Sequence, residues 1–328
     1  MYTPPCTVSA RAIQLVADIS AQVERYAIRL EAADGLLLRK ANRIKTIHSS
    51  LAIEGNKLTE GQVTDILDGK AVVAPAREIK EVKNAIAAYN LYPTLNPFAV
   101  KDLLRTHGVM MQGILDNPGH FRSGNVGVFE GERCIHLAPP PQNVPTLIND
   151  LFEWVKKAPD HILIRSCVFH YEFEFIHPFM DGNGRMGRMW QSLLLREMSP
   201  VFEHLPIENM VYANQSTYYD AIAASTRMND CSPMIDFLLQ EIYNALVSHQ
   251  VTDKAANNVG VNVGVNVGVK EQRVLDLLAV NPALTATKIG EFLQISTRQA
   301  ERLLAALKKK NRIRRVGADR NGQWEIIK

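Results

Sequence analysis

Along residues 9–38, apolar positions recur at mixed three- and four-residue steps with few breakers, which predicts a helix. A second helical stretch places Ile44, Ile47 and Leu51 along one side. It stops at Glu54-Gly55-Asn56, where glycine suits the left-handed residue that closes a helix. Thr59 reads as an N-cap with Glu60, Val63 and Leu67 behind it. Residues 77–91 and 97–115 carry the helical period further. The first ninety-odd residues therefore read as all-helical, without catalytic machinery of their own.

After residue 124 the pattern changes. Gly124-Asn125-Val126-Gly127-Val128-Phe129 alternates small and apolar residues, and Glu130-Gly131-Glu132 supplies a turn. Cys134-Ile135-His136-Leu137 reads as the returning strand of a hairpin, stopped by Pro139-Pro140-Pro141. Residues 161–175 form a strongly apolar, central helix. Residues 185–198 form another, with Met186, Met189, Trp190, Leu193 and Leu194 on one face. Helices over 218–224 and 233–249 complete a helical body.

Then Val259-Gly260-Val261-Asn262 recurs as Val263-Gly264-Val265-Asn266, followed by Val267-Gly268-Val269. A glycine in every fourth place argues against helix, and the valines argue for an extended linker or a short strand. Beyond Lys270 the spacing gives helices over 271–280, 285–293 and 297–310, the last with Ala300, Leu303, Leu304 and Leu307 inward. Residues 313–316 and 324–327 alternate as a hairpin around Asn321-Gly322. This order resembles a winged helix-turn-helix module.

Composition sharpens the division. The chain has 328 residues, enough for two or three domains, and 46% hydrophobic content suits a buried core. Net charge is +3, yet residues 270–328 hold 13 Lys plus Arg against 6 Asp plus Glu, while the remainder is mildly acidic. A basic C-terminal unit on an acidic body suggests two separate jobs. The first residues lack a basic stretch followed by an apolar run, so no secretory signal is expected. No apolar stretch reaches the roughly 18 residues a membrane span needs. Cys6, Cys134, Cys167 and Cys231 lie far apart and form no CxxC, which argues against a zinc ribbon or disulfide scaffold and for a reducing cytoplasm.

The chemistry concentrates in His177-Pro178-Phe179-Met180-Asp181-Gly182-Asn183-Gly184-Arg185-Met186-Gly187-Arg188, a loop leading into a helix. Gly182 and Gly184 permit a tight turn and close backbone approach. The first amides of the following helix have no internal acceptors, and with the helix dipole they suit an anion. Arg185 and Arg188 stand three apart and offer forked donors for phosphate. Asp181 is a hard oxygen ligand of the kind Mg²⁺ takes beside phosphate. His177 is the one side chain here that readily accepts a proton near neutral pH. Phosphate cradle, metal ligand and base together suggest phosphoryl or nucleotidyl transfer.

This run resembles the signature of Fic proteins, HxFx(D/E)GNGRxxR, and meets every fixed position. The resemblance covers roughly residues 97–249. It implies a mainly α fold, a helical core with a β-hairpin flap over the active site. It also implies transfer of AMP from ATP to a Ser, Thr or Tyr hydroxyl of a target protein. His177 would be the base, and Asp181 would hold Mg²⁺ on the phosphates. Gly182, Asn183 and Gly184 would form the anion hole, and Arg185 and Arg188 would hold the β- and γ-phosphates. Phosphorylating relatives carry Lys in place of the second glycine, so Gly184 favours nucleotide transfer. The segment Gly119-His120-Phe121-Arg122, then Asn125 to Leu137, matches the position of the family's flap. Tyr218 and Tyr219 match a tyrosine pair near adenine in relatives, or else belong to the core. Family cores often dimerise, so a homodimer is an expectation too.

Ser50 to Gly55 fits the family's inhibitory pattern, [S/T]xxxE[G/N]. Ser50 and Glu54 lie four apart on one helix face. Packed on the site, Glu54 would pair with Arg188 and misplace the ATP phosphates; in some relatives the same Glu serves removal of AMP. The winged-helix resemblance implies either DNA contact through Arg298, Gln299 and Arg302 or a protein-interaction or dimerisation role, and the first makes an ATP-sensing DNA-binding regulator the alternative function. The expected organisation is a helical inhibitory region (1–95), a catalytic core (96–249), a linker (250–269) and a winged helix-turn-helix domain (270–328).

Overall fold

The structure is a computed structural model that describes residues 2–30, 35–130, 133–256, 274–275, 278, 284–286, 288–289, 297–310, 312–316 and 323–326. It separates into two units, Met1–Gln250 and Val251–Lys328.

In the first unit α1 (Ala10–Leu30) buries Ala12, Leu15, Ile19, Val23 and Tyr26, a three-four spacing that lays one seam along the helix. The helical run read over 9–38 is divided, because its last residues belong to α2 (Gly35–Ile53) and 31–34 lie outside the described residues. Ile44, Ile47 and Leu51 of α2 are buried, and Gly55, at φ +90°, turns the chain just past its end. Thr59 caps α3 (Glu60–Leu67) in a full capping box with Gln62. The helix α4 (Ala76–Asn90) follows.

The helix α5 covers only Val100–Met110, shorter than the period over 97–115 suggests. Asn96 N donates to Asp102 Oδ2 at 2.9 Å and Phe98 N to Asn96 Oδ1 at 2.9 Å, so polar side chains hold the backbone out of the helix before Val100. Gly113, at φ +67°, turns it after Met111. Strands β1 (Gly127–Glu130) and β2 (Arg133–Leu137) form an antiparallel hairpin with a bulge at Val128/Phe129.

The centre is a pair of packed helices, α7 (Ile162–Ile176) and α8 (Asn183–Leu195), with α6 (Val144–Lys157) against α7. The mean character of α7 is apolar all round, and Leu163, Val168, Phe169 and Phe173 are fully buried. On α8, Met186, Met189, Trp190, Leu193 and Leu194 are fully buried, as their shared face predicts. This helix begins two residues before the expected 185, because Gly182 at φ +87° completes the loop. A short helix, α9 (Ile207–Ala213), escapes the period reading, since seven residues hold barely two turns. It packs on α2. Then come α10 (Gln215–Met228) and α11 (Ser232–Ala256). The N-terminal helices and the later ones share one hydrophobic core. The helix α11 runs past 249 into the segment read as linker; residues 257–273, with the glycine-valine repeat, lie outside the described residues. Among the described residues no helix is long and apolar enough to cross a membrane.

In the second unit α12 (Thr297–Lys309) precedes an antiparallel pair, β3 (Ile313–Val316) and β4 (Gln323–Ile326). Ala300, Leu303, Leu304 and Leu307 join Val274, Leu275, Leu278 and Ile313 in a separate buried cluster.

Candidate active site

The site begins where α7 ends. His177 takes φ +50° and ψ +63°, a left-handed conformation that a residue with a Cβ holds only when its surroundings enforce it. Arg122 is a large part of that enforcement. Its guanidinium donates to the carbonyls of His177 (2.7 Å), Gly124 (2.8 Å), Ile176 (3.3 Å) and Pro139, and its own amide donates to Pro178 O at 2.9 Å. One buried cation thus ties the hairpin's two flanks to the motif loop.

Phe179 is fully buried and stacks on His107 with 3.6 Å between ring centroids. Gly119 N donates to His107 Nδ1 at 2.9 Å, so Nε2 carries the proton and donates to Asp181 O at 3.0 Å. Burial pushes the His107 pKa down to about 4, which keeps this buried strut neutral. Asn183 braces the loop from the other side. Its Oδ1 accepts from Phe179 N and its Nδ2 donates to Phe179 O, both at 2.8 Å. The Asn183 side chain is therefore spent within the loop, and its contribution toward an anion is its backbone amide. No side chain caps α8, so its opening amides remain for a ligand. At Gly182, a Cβ would stand 2.8 Å from Met111 Sδ.

The arginine pair does not share one partner. Arg185 donates to Asp181 Oδ1 at 2.9 Å. Arg188 reaches α2, donating to Glu54 Oε1 at 2.7 Å, to Ser50 O at 3.0 Å and to Ser50 Oγ at 3.4 Å. Burial pulls the Arg188 pKa down, but the Glu54 carboxylate beside it more than offsets this, so the guanidinium stays charged. Gly184 sits directly beneath this pair: a Cβ there would collide with the Glu54 carboxylate.

Asp181 Oδ1 also accepts from Gly182 N at 2.5 Å, and Oδ2 lies 3.8 Å from Arg77. Its side chain is 38% exposed beside the open amides. A single accessible carboxylate next to a phosphate cradle fits Mg²⁺, which usually takes one or two carboxylates and completes its shell with phosphate and water. Among the described residues no cluster of three His, Cys, Asp or Glu could hold a metal unaided.

Glu54, Gly127, Glu174, His177, Gly184, Arg188, Tyr218, Tyr219 and Ile222 surround one cavity of about 210 Å³. Tyr218 is both core and wall: it is 2% exposed, and its hydroxyl shares a 3.0 Å hydrogen bond with His170 Nε2. The Tyr219 ring meets it edge-on at 5.4 Å. His177 Nδ1 lies 3.3 Å from Glu174 O, and burial lowers the His177 pKa to about 4. The imidazole is neutral at pH 7 and can accept a proton. In the second unit Arg298 and Arg302 are exposed on α12, whereas the side chain of Gln299 lies outside the described residues.

Arg122, His107 and Glu174 were absent from the sequence-based site. Arg122 stands in the run matched to the flap, but nothing in that run marks it as a clamp. Arg122 reaches His177 of the motif loop from 55 residues away and His107 reaches Asp181 from 74, so only the fold reveals these contacts.

Residues 97–195 match the model of the Fic/DOC family. A crystal structure of a Fic family protein from Desulfovibrio desulfuricans G20 is 36% identical, with a TM-score of 0.73 over 99% of this chain and 98% of that one. Protein adenylyltransferase fic-1 of Caenorhabditis elegans is 24% identical over 206 residues, 58% of this chain and 38% of the relative. Protein adenylyltransferase Fic of Aedes aegypti is 28% identical over 234 residues, 66% of this chain and 44% of the relative. The chain thus spans less than half the length of these two adenylyltransferases.

Proposed function

This chain belongs to the Fic family, and we propose that it is a protein adenylyltransferase, moving AMP from ATP to a Ser, Thr or Tyr hydroxyl of a target protein. The observation that carries this reading is the convergence of a neutral imidazole, the opening of α8 and a buried guanidinium on one cavity of about 210 Å³. The target oxygen attacks the α-phosphorus while the bond to the bridging oxygen of pyrophosphate breaks. The hydroxyl proton passes to His177, which is held for the task by its left-handed backbone and the Arg122 clamp. The open amides of α8 and Arg188 hold the polyphosphate. Bound beside Asp181, Mg²⁺ would neutralise phosphate charge. Tyr218 and Tyr219 form the wall against which the nucleoside lies.

As it stands, Arg188 is engaged by Ser50 of α2 and by Glu54 just beyond it. The γ-phosphate must compete for it, so the chain restrains its own activity. Glu54 lines the same cavity as His177, which also suits it to hold a water for removal of AMP. His177→Ala should abolish transfer while leaving ATP affinity within a few-fold. Loss of nucleotide binding in that variant would make His177 structural and remove the basis of the proposal.

For the second unit we propose a DNA-contacting winged helix. Supporting it are the separate core, the hairpin after α12 and the exposed Arg298 and Arg302. A mobility shift of duplex DNA that weakens with salt is expected. No shift at low salt would end that reading.

A further inference from the structure

Glu174 is the one carboxyl in the cavity that the reaction, as described, leaves unused. It lies on α7, 4% exposed, one turn before His177. Its Oε2 stands 3.8 Å from His177 Nδ1, too long for a hydrogen bond but short for two groups that share a charge. Its Oε1 is buried without a hydrogen-bond partner. The space it fills exists because residue 187 is glycine: a Cβ there would come within 2.8 Å of Oε1. A buried carboxyl with an unmade bond is costly, and a chain that only needed to fill this volume could do so with leucine.

We propose that Glu174 is a positioning residue for His177, a buried carboxyl that faces the Nδ1 edge of the imidazole and stabilises the positive charge the ring acquires as it takes the hydroxyl proton. This inference rests on the adenylyltransferase reading. The proton goes to His177 Nε2 and stays there until the product leaves. Nδ1 keeps its own proton, directed at Glu174 O and Oε2, so no proton moves onto Glu174. The groups that face Glu174 are Arg188 of α8, Glu54 beyond α2, His177, and Tyr218 and Tyr219 of α10. His177 is further faced by Arg122 and His136. Burial raises the Glu174 pKa to about 8, Arg188 opposing and Glu54 reinforcing. Below that pH the carboxyl is neutral and His177 is a weak base. Above it the carboxylate makes the ring more basic and supports the imidazolium. Taking away the Glu54 charge lowers the Glu174 pKa, and it also removes a negative charge that supports protonation of His177, which leaves Glu174 as the carboxylate facing the ring.

The experiment uses full-length protein in the Glu54→Gly background, with Glu174→Gln as the isosteric neutral variant and Glu174→Asp as the charged one. Steady-state AMP transfer is measured from pH 6 to 9, and the His177 imidazole is followed by ¹⁵N NMR, assigned by its loss in His177→Ala. Glu174→Gln is expected to lower kcat by about 10- to 100-fold with KM for ATP within twofold, and to abolish the rise of kcat toward alkaline pH. Glu174→Asp should recover part of both. In the NMR experiment the Gln variant should remove a shift of the His177 resonances that titrates with Glu174. The parent alone bears on the claim if the Gln variant does not fold: a kcat flat from pH 6 to 9, with static His177 resonances, overturns it. Equal kcat profiles for the parent and Gln variants also overturn it. A Glu54→Gly protein that transfers no AMP counts against the adenylyltransferase reading instead, and the NMR titration then decides the Glu174–His177 coupling by itself.

Discussion

Replacing Glu54 with glycine removes the 2.7 Å contact to Arg188 and leaves that guanidinium with Ser50 O at 3.0 Å and Ser50 Oγ at 3.4 Å. The pair is partly sheltered, with side chains 4% exposed at Arg188 and 30% at Glu54. A charge-assisted hydrogen bond of this kind is worth about 1.5–3 kcal/mol. A triphosphate whose reacting phosphorus is about 1 Å out of place loses about a hundredfold in rate, equivalent to about 2.7 kcal/mol. The two magnitudes agree, so on the proposed reading this single pair would suffice as the brake. Glu54→Gly should therefore raise the initial rate of AMP incorporation about a hundredfold. It should also lower the midpoint of thermal unfolding by several degrees, since Arg188 stays buried without its carboxylate. Glu54→Gln, which keeps the shape and loses the charge, should fall between. The assay is incorporation of α-³²P-labelled AMP into protein from a cell lysate, alongside a thermal melt. A Glu54→Gly protein that binds ATP, melts lower and transfers no faster than its parent would refute the reasoning.

Three further outcomes follow from the geometry. Arg122→Met removes four hydrogen bonds to main-chain carbonyls and should cost about 3–5 kcal/mol in denaturant unfolding while abolishing transfer; a melt within a degree of the parent would show that the clamp is dispensable. Stability should peak near pH 6.5. His107, His170 and His177, lowered by burial to about 4, 3 and 4, stabilise fully above their unfolded value of 6.5 and lose that contribution as pH falls. Glu174 and Glu208, raised by burial to about 8 and 7, stabilise below 4.5 and lose it as pH rises, costing about 2–3 kcal/mol between pH 6.5 and 8; a plateau in unfolding free energy from pH 5 to 9 would contradict this. Cys6 is half-buried, and the hydrogen bond from the Cys231 thiol lowers its pKa, whereas burial raises that of Cys167 to about 12; alkylation mapped by mass spectrometry should reach Cys6 well before Cys167, and the reverse order would contradict it.

What the sequence makes legible is what lies close along it. His177 to Arg188 is one loop and one helix start, so the spacing of its residues nearly determines their geometry. Ser50 and Glu54 were legible for the same reason: four residues on a helix share a face, and the structure brings both to Arg188. Two parts of the reading needed the fold. Asn183 was expected in the anion hole through the family resemblance, and the fold adds that its amide side chain closes the loop on Phe179, which leaves the backbone amide for that role. Arg185 and Arg188 were expected to hold phosphates, and the fold adds the protein partner of each, Asp181 for Arg185 and Glu54 for Arg188. Arg122, His107 and Glu174 carry no local signal. An arginine that satisfies carbonyls, or a carboxyl turned toward a ring, acquires its role only when the hairpin, α5 and α7 meet. The element ends missed in sequence are similar cases. The Asn96 and Asp102 side chains shorten α5, and α9 is too short for its period to stand out.

The central claim is tested most directly by giving the Glu54→Gly protein, with and without His177→Ala, ATP labelled at either the α- or the γ-phosphate, in the presence of lysate. Label on protein from the α position alone, lost with His177→Ala, is the predicted result. Label from the γ position, or α label that survives without His177, would contradict the account.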